Sequence, residues 1–324
     1  MFTFGFDMRS ATFGAPAPER YRAARELTAY AESHGLSGCV VGEHHGSGDG
    51  YLPSPLVLAS ALASVTSRIP ISVSALILPL WDPVRLAEEM CVLDILSEGR
   101  VSYTAAVGYM PEEYDMFGVE FRRRGRLADE KLNLMLKAKT GEPFERDGKT
   151  FQVDPAPFTP GGPVVRWGGG SIAAARRAGR FGLDMRAQGG NAEVLTEAYL
   201  AAAAESGVQP GTCSVPNAET AVICLVADDV DEAWAVAGRH LLHHARAYAE
   251  FNSSSSTALH SSATTVDELR GEVGAYRIYS VDEAIERVQA GANLFTSPLI
   301  GGLPVDAAWK FVRCLTERVM PAIA

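Results

Sequence analysis

A carboxylate and two imidazoles stand side by side at Glu43-His44-His45, after the apolar run Gly38 to Val41 and before the glycine-punctuated stretch Gly46-Ser47-Gly48. Adjacent residues on an extended chain point to opposite faces, so His44 and His45 cannot easily share one ion and a metal site is disfavoured. Two readings stay open. Either ring can be a structural histidine held by Glu43 or a loop carbonyl. Alternatively, an imidazole can move protons or bind an oxyanion near neutral pH, which suits a group whose unperturbed pKa is about 6.5. The second reading needs a cofactor or substrate to act on.

Gly168-Gly169-Gly170-Ser171 is the second feature. Glycines let the backbone approach an anion, the first N–H groups of the following helix point at it, and Ser171 can cap the helix and offer a hydroxyl. The alternative is an ordinary tight turn with a capping serine. The chain lacks a strand-linked Gly-x-Gly-x-x-Gly, so a nicotinamide dinucleotide has no dedicated fold here and a mononucleotide with one phosphate fits better. His240, His243 and His244 share a helix, but Leu241 stands where a zinc-protease pattern has glutamate, so these are expected on a helix surface or at a subunit contact.

Positioning such groups requires a frame of strands and helices. Apolar runs read as strands at 2–6, 38–41, 69–78, 101–107, 164–167, 183–188, 221–226 and 292–297, and helical periodicity lies between most of them. Asp82 and Pro83 form a helix start, and Gly35 a helix stop. A strand–helix unit repeating at about 30 residues is the signature of a parallel sheet or barrel. Eight such units predict one (β/α)8 TIM barrel over 1–324, with reactive groups where strands end and loops begin. Two interruptions are expected: a hairpin and loop insertion at about 143–162, around Asp147-Gly148, and a mobile loop at about 252–276, poor in apolar residues and a candidate lid.

Composition narrows the partners. Hydrophobic residues at 47% and charged residues at 21% allow a full core, and a net charge of -10 argues against nucleic acid. Five scattered cysteines without a Cys-x-x-Cys pair fit a reducing, cytoplasmic setting. The absence of a leader pattern and of any 18-residue apolar run gives no reason to expect secretion or a membrane.

Taken together, Glu43-His44-His45, Val73-Ser74-Ala75-Leu76-Ile77-Leu78-Pro79, Asp82-Pro83-Val84-Arg85-Leu86-Ala87-Glu88-Glu89, Leu93-Asp94-Ile95-Leu96-Ser97-Glu98-Gly99-Arg100 and Met116-Phe117-Gly118 resemble the bacterial luciferase-like flavin-dependent monooxygenase family. The likeness runs through Gly169-Gly170-Ser171 to Val319-Met320-Pro321. It implies a (β/α)8 barrel with an insertion, and reduced FMN or, in some branches, a deazaflavin coenzyme. It implies a cis bond at Ser74-Ala75 against the flavin ring, and His44 as the catalytic histidine. Ala106 and Val107 stand where luciferase has its reactive cysteine and a phosphate-contacting arginine, so the phosphate is left to Gly169, Gly170, Ser171 and an arginine such as Arg176, and light emission is not implied. Met8, His45, Tyr109, Met110 and Gln188 are the expected substrate pocket.

The function implied is oxygenation of a small organic substrate by O2 and reduced FMN from a separate NAD(P)H:flavin reductase, in a homodimer. Two alternatives stand beside it: a deazaflavin-dependent hydride-transfer oxidoreductase, and a non-catalytic flavin-binding subunit.

Overall fold

A computed structural model describes residues 1–216, 222–251, 259–272 and 274–323. Its strands in chain order are β1 (Phe2–Phe6), β2 (Gly38–Val41), β3 (Ile71–Ile77), β4 (Val101–Ala106), β5 (Phe144–Arg146), β6 (Lys149–Phe151), β7 (Val165–Gly168), β8 (Met185–Arg186), β9 (Cys213–Ser214), β10 (Ile223–Ala227), β11 (Tyr276–Ser280) and β12 (Leu294–Thr296). The chain divides into two compact units, one of Met1–Val41, Ser47–Leu52 and Pro216–Ala324, the other of Gly42–Gly46 and Pro53–Val215.

In the first unit the strands lie in the order β11-β10-β12-β1-β2, all parallel. Their sequences, such as Phe-Thr-Phe-Gly-Phe and Ile-Cys-Leu-Val-Ala, are almost wholly apolar because a parallel strand is covered on both faces. Gly5 is required by packing, since a Cβ there would lie 2.3 Å from the Phe295 ring. Helices Ala17–Ser33, Val230–Phe251, Val281–Gln289 and Val305–Cys314 belong to this unit. Leu27, Ala31, Leu241 and Val312 are fully buried.

The second unit carries the parallel order β3-β4-β7-β8-β9. Side chains alternate across it. Tyr103, Ala105, Val165 and Trp167 share one face, which is buried, and the Arg177 guanidinium of helix Ile172–Arg180 lies 5.1 Å over the Trp167 ring. Thr104, Ala106, Arg166 and Gly168 take the other face; a Cβ on Gly168 would meet Thr104 at 3.1 Å. β3 is irregular between Ser74 and Leu76, and the Ser74–Ala75 peptide bond is cis. Helix Pro83–Ser97 starts as its sequence dictates, with the Asp82 carboxylate accepting from the N–H groups of Val84 and Arg85.

β5 and β6 form an antiparallel hairpin around Asp147 and Gly148, both at positive φ, as a type I′ turn requires. Its Phe144 is anchored in a small core with Ala87, Cys91, Ala138 and Val153. Of the tract at 252–276, where a mobile loop is expected, residues 252–258 and 273 lie outside the described residues. The described remainder is partly regular. Thr265 and Glu268 cap each other's backbone to start helix Val266–Gly271, which buries Leu269, and β11 begins at Tyr276. The strand expected at 221–226 is β10, and Ala221 itself lies outside the described residues. Among the described residues, no helix is long and apolar enough to cross a membrane.

Candidate active site

Three residues beyond β2 the chain reaches His44, which is buried, and the groups that hold it come from the loop after β4. Gly108 turns that loop back with φ +68, and a Cβ there would sit 2.8 Å from an Ile77 methyl. Helix Pro111–Met116 follows, tied to the strand end by the fully buried Tyr114, whose phenol donates to the Val107 carbonyl. This delivers the buried Glu113 carboxylate with Oε1 2.7 Å from His44 Nδ1 and 2.8 Å from the His45 N–H. Tyr109 Oη is 2.9 Å from His44 Nε2.

A carboxylate accepts only, so His44 Nδ1 carries a proton; in the neutral ring Nε2 then accepts from the Tyr109 O–H. Glu113 Oε2 is buried without a hydrogen-bond partner among the described residues. Its charge is available to neutralise a proton arriving at His44.

Glu43 performs a separate task. Its buried carboxylate accepts from the Ile77 N–H at 2.5 Å, from the Trp81 indole at 2.9 Å, and bonds His45 Nε2 at 3.1 Å. The two rings are held differently. His45 is held structurally by Glu43 and packs edge-on against Phe117 at 4.6 Å, while His44 sits in an acid–imidazole–phenol chain. Lys131 fixes the turn bearing Trp81 by donating to the carbonyls of Pro79 and Trp81 at 2.6 and 2.7 Å, and burial pushes its pKa down.

At the same edge of this unit's sheet, where parallel β3, β4 and β7 end, lies the glycine turn. Gly169 has φ +128, a Cβ on Gly170 would meet the Gly189 carbonyl at 2.8 Å, and Ser171 Oγ caps its helix by accepting from the Ala174 N–H. Ser74, Ala75 and Ala106 are small and half-buried on neighbouring strands. Met110 precedes helix Pro111–Met116 and is half-buried, and Gln188 is exposed just past β8.

Arg176 requires a correction. It lies more than a turn beyond Ser171 and pairs with Glu205 at 2.7 Å in an exposed position, which directs it away from the helix start. The arginines on the Gly168 face are Arg166, two residues before it, and Arg186, its strand partner. Arg166 Nε has no hydrogen-bond partner among the described residues and stands 3.8 Å from an Asp184 oxygen. Burial and then the Arg186 charge lower the Arg166 pKa.

In the first unit Met8 is almost fully buried at φ +60, and its carbonyl accepts from Arg20. The histidines of helix Val230–Phe251 also depart from expectation. His240 is buried on the Gly301 carbonyl at 2.9 Å. His244 is buried between Asp7 (2.7 Å) and Tyr276 (2.9 Å), and the less buried His243 meets Asp49 at 3.2 Å. Among the described residues no cluster of three or more His, Cys, Asp or Glu is arranged to hold a metal ion.

The family model described as luciferase-like monooxygenase matches residues 2–292. The chain belongs to the luciferase-like monooxygenase family. It is 31% identical over 130 residues to the uncharacterized protein y4vJ of Sinorhizobium fredii, covering 40% of this chain and 37% of that one. It is 29% identical over 148 residues to the alkanal monooxygenase alpha chain of Photorhabdus luminescens, covering 44% and 41%. The matches thus span about two fifths of the length of these curated relatives.

Solved structures in the family's fold cover the chain more completely. Monooxygenase RslO1 from Streptomyces bottropensis has a TM-score of 0.72 at 19% identity, over 100% of this chain and 99% of that one. The oxygenating constituent of 3,6-diketocamphane monooxygenase from Pseudomonas putida, in complex with FMN, has 0.69 at 22%, over 100% and 98%. An F420-dependent secondary alcohol dehydrogenase with an F420-acetone adduct has 0.67 at 16%, over 100% and 99%. At these identities they show the fold alone, α/β and luciferase-like.

Sequence reasoning missed Glu113, Trp81 and Lys131 as parts of this site. The available signal for Glu113 was its place two residues inside the helix opened by Pro111, immediately after the strand-four loop.

Proposed function

We propose that the protein is a flavin-dependent monooxygenase that uses reduced FMN from a separate NAD(P)H:flavin reductase, and O2, to oxygenate a small organic substrate. The observation that carries this is the buried Glu113–His44 pair, set at the same strand-end edge as the glycine turn and the half-buried Ser74, Ala75 and Ala106. The residues fit a flat ring with an anionic tail: the side chains at Ser74, Ala75 and Ala106 on β3 and β4 are small, and the glycine turn leads into the helix start at Ser171.

FMN, when bound, supplies the redox chemistry with oxygen. The backbone at Gly169 and Gly170, with Ser171, would hold its phosphate, and Arg166 and Arg186 are the cations placed to help. Ser74, Ala75 and Ala106 would orient the ring. His44 holds or moves a proton at Nε2, and Glu113 fixes its tautomer through Nδ1. The test is oxygen uptake and product formation with chemically or enzymatically reduced FMN. If His44→Ala oxygenates as fast as the parent, the reading fails.

One observation favours a second reading. A carboxylate-held imidazole whose partner acid keeps an unpartnered buried oxygen is also suited to taking a hydroxyl proton, as a deazaflavin-dependent hydride transfer from an alcohol would need. Anaerobic assays with each cofactor separate the two, since only hydride transfer proceeds without oxygen.

A homodimer belongs to the same proposal. Val92, Ile95 and Leu96 form an exposed apolar stripe on helix Pro83–Ser97. Leu96→Lys should shift the protein toward monomer in sedimentation if that stripe pairs two copies.

A further inference from the structure

We propose that Tyr109 is a catalytic residue, the group that hands a proton between the bound substrate and His44, so that His44 works from behind a phenol rather than against the substrate itself. This deepens the function proposed above and rests on it.

Three observations converge. First, both nitrogens of the His44 ring are taken up by protein groups: Nδ1 by Glu113 at 2.7 Å, Nε2 by the Tyr109 hydroxyl at 2.9 Å. A ring so held, and buried, does not present a nitrogen to a ligand. Second, Tyr109 is half-buried, while His44 and Glu113 are 8% and 2% exposed, so it is the most accessible of the three groups. Third, its position is imposed. Gly108 turns the chain at φ +68 against Ile77, the buried Tyr114 ties the next helix to Val107, and the Tyr109 ring meets His44 edge-on at 5.2 Å and 65°.

The step is a coupled proton transfer. A ligand O–H bond breaks as its proton passes to Tyr109 Oη, and the Tyr109 O–H bond breaks as its proton passes to His44 Nε2. The ligand is left as an oxyanion and His44 as an imidazolium beside the Glu113 carboxylate. No electrons change hands, and the reverse sequence delivers a proton to an oxyanion. The ligand class that follows is a molecule carrying a hydroxyl or carbonyl oxygen at the reacting carbon, placed within hydrogen-bond reach of Oη.

The variant is Tyr109→Phe, which keeps the ring and removes only the hydroxyl. In the protein alone, nitrogen NMR of the imidazoles should show the His44 Nε2 resonance moving downfield as its donor is lost. An unmoved resonance means that the phenol does not hold the ring, and overturns the proposal. In turnover with the reduced cofactor that supports the parent, kcat should fall about 100-fold with KM within about twofold, and the pH dependence of kcat should change shape. The double variant with His44→Gln should lose little beyond the larger single loss, because the two act in series. A kcat matching the parent, or a rise in KM alone, overturns the relay while leaving the proposed function standing. A parent protein that turns over with neither cofactor overturns both.

Discussion

Two chains of carboxylate, imidazole and phenol occur in this protein, with matching lengths and opposite settings. In one, Glu113 Oε1 lies 2.7 Å from His44 and Tyr109 Oη 2.9 Å beyond it; in the other, Asp7 Oδ2 lies 2.7 Å from His244 and Tyr276 Oη 2.9 Å beyond. Tyr276 is buried and burial drives its pKa well up, whereas Tyr109 is only half-buried. Identical donor and acceptor types therefore do not define a reaction. Access at the phenol end separates a relay from a strut.

Substitutions at the two imidazoles should differ in turnover rather than in stability. His44→Ala should cost about 10²–10⁴ in kcat per folded molecule, and stability as well because the buried Glu113 loses its partner, read by turnover and urea unfolding in parallel. His244→Ala should leave kcat per folded molecule near the parent's and cost about 3 kcal/mol of stability, because Asp7 loses its partner inside the fold. If His244→Ala instead loses turnover while stable, the comparison is wrong.

A smaller effect is expected one group further back. Glu113→Gln keeps the shape but removes the charge that fixes the His44 tautomer; kcat should fall about 10- to 100-fold, and a loss below twofold would remove Glu113 from the site.

The pH dependence of stability sharpens the contrast on the strut side. His240 is buried and its pKa lowered by burial, so the folded form keeps the ring neutral. The unfolded chain takes up a proton as pH falls below the ordinary 6.5 and the folded chain does not, so stability is lost on going down from there. Asp49 is the reverse kind of group. Burial raises its pKa, but the His243 hydrogen bond and the Arg9 charge outweigh that and hold it at about 2. Its contribution is complete above the ordinary 3.8 and lost as pH falls from there toward 2. Urea midpoints at pH 7.5, 5.5 and 2.5 should decline in two stages, and His240→Gln should flatten only the upper one.

Much of the frame was legible because its signals are local. Continuous apolar strands, the Asp82-Pro83 helix start and the Asp147-Gly148 turn each announce themselves within a few residues. The family likeness placed His44 and the glycine turn in the same way. What escaped needed distance or register. Glu113 reaches His44 from 69 positions away. Arg186 shares the Gly168 face only because β7 and β8 pair as they do, which a sequence does not state. β11 escaped because it is five residues long, interrupted by Arg277, directly follows a polar tract and finds its place by pairing with β10. His240 and His244 read as a polar helix face because their partners, Gly301 and Asp7, lie far along the chain.

Glu43 binds the Trp81 indole, His45 and the last N–H of β3 through one carboxylate. A natural fluorophore is thus wired to the strand expected to lie under the cofactor. Its emission provides a label-free gauge of arrival at that strand, and Trp81→Phe is the blank that identifies the signal among the protein's 4 tryptophans.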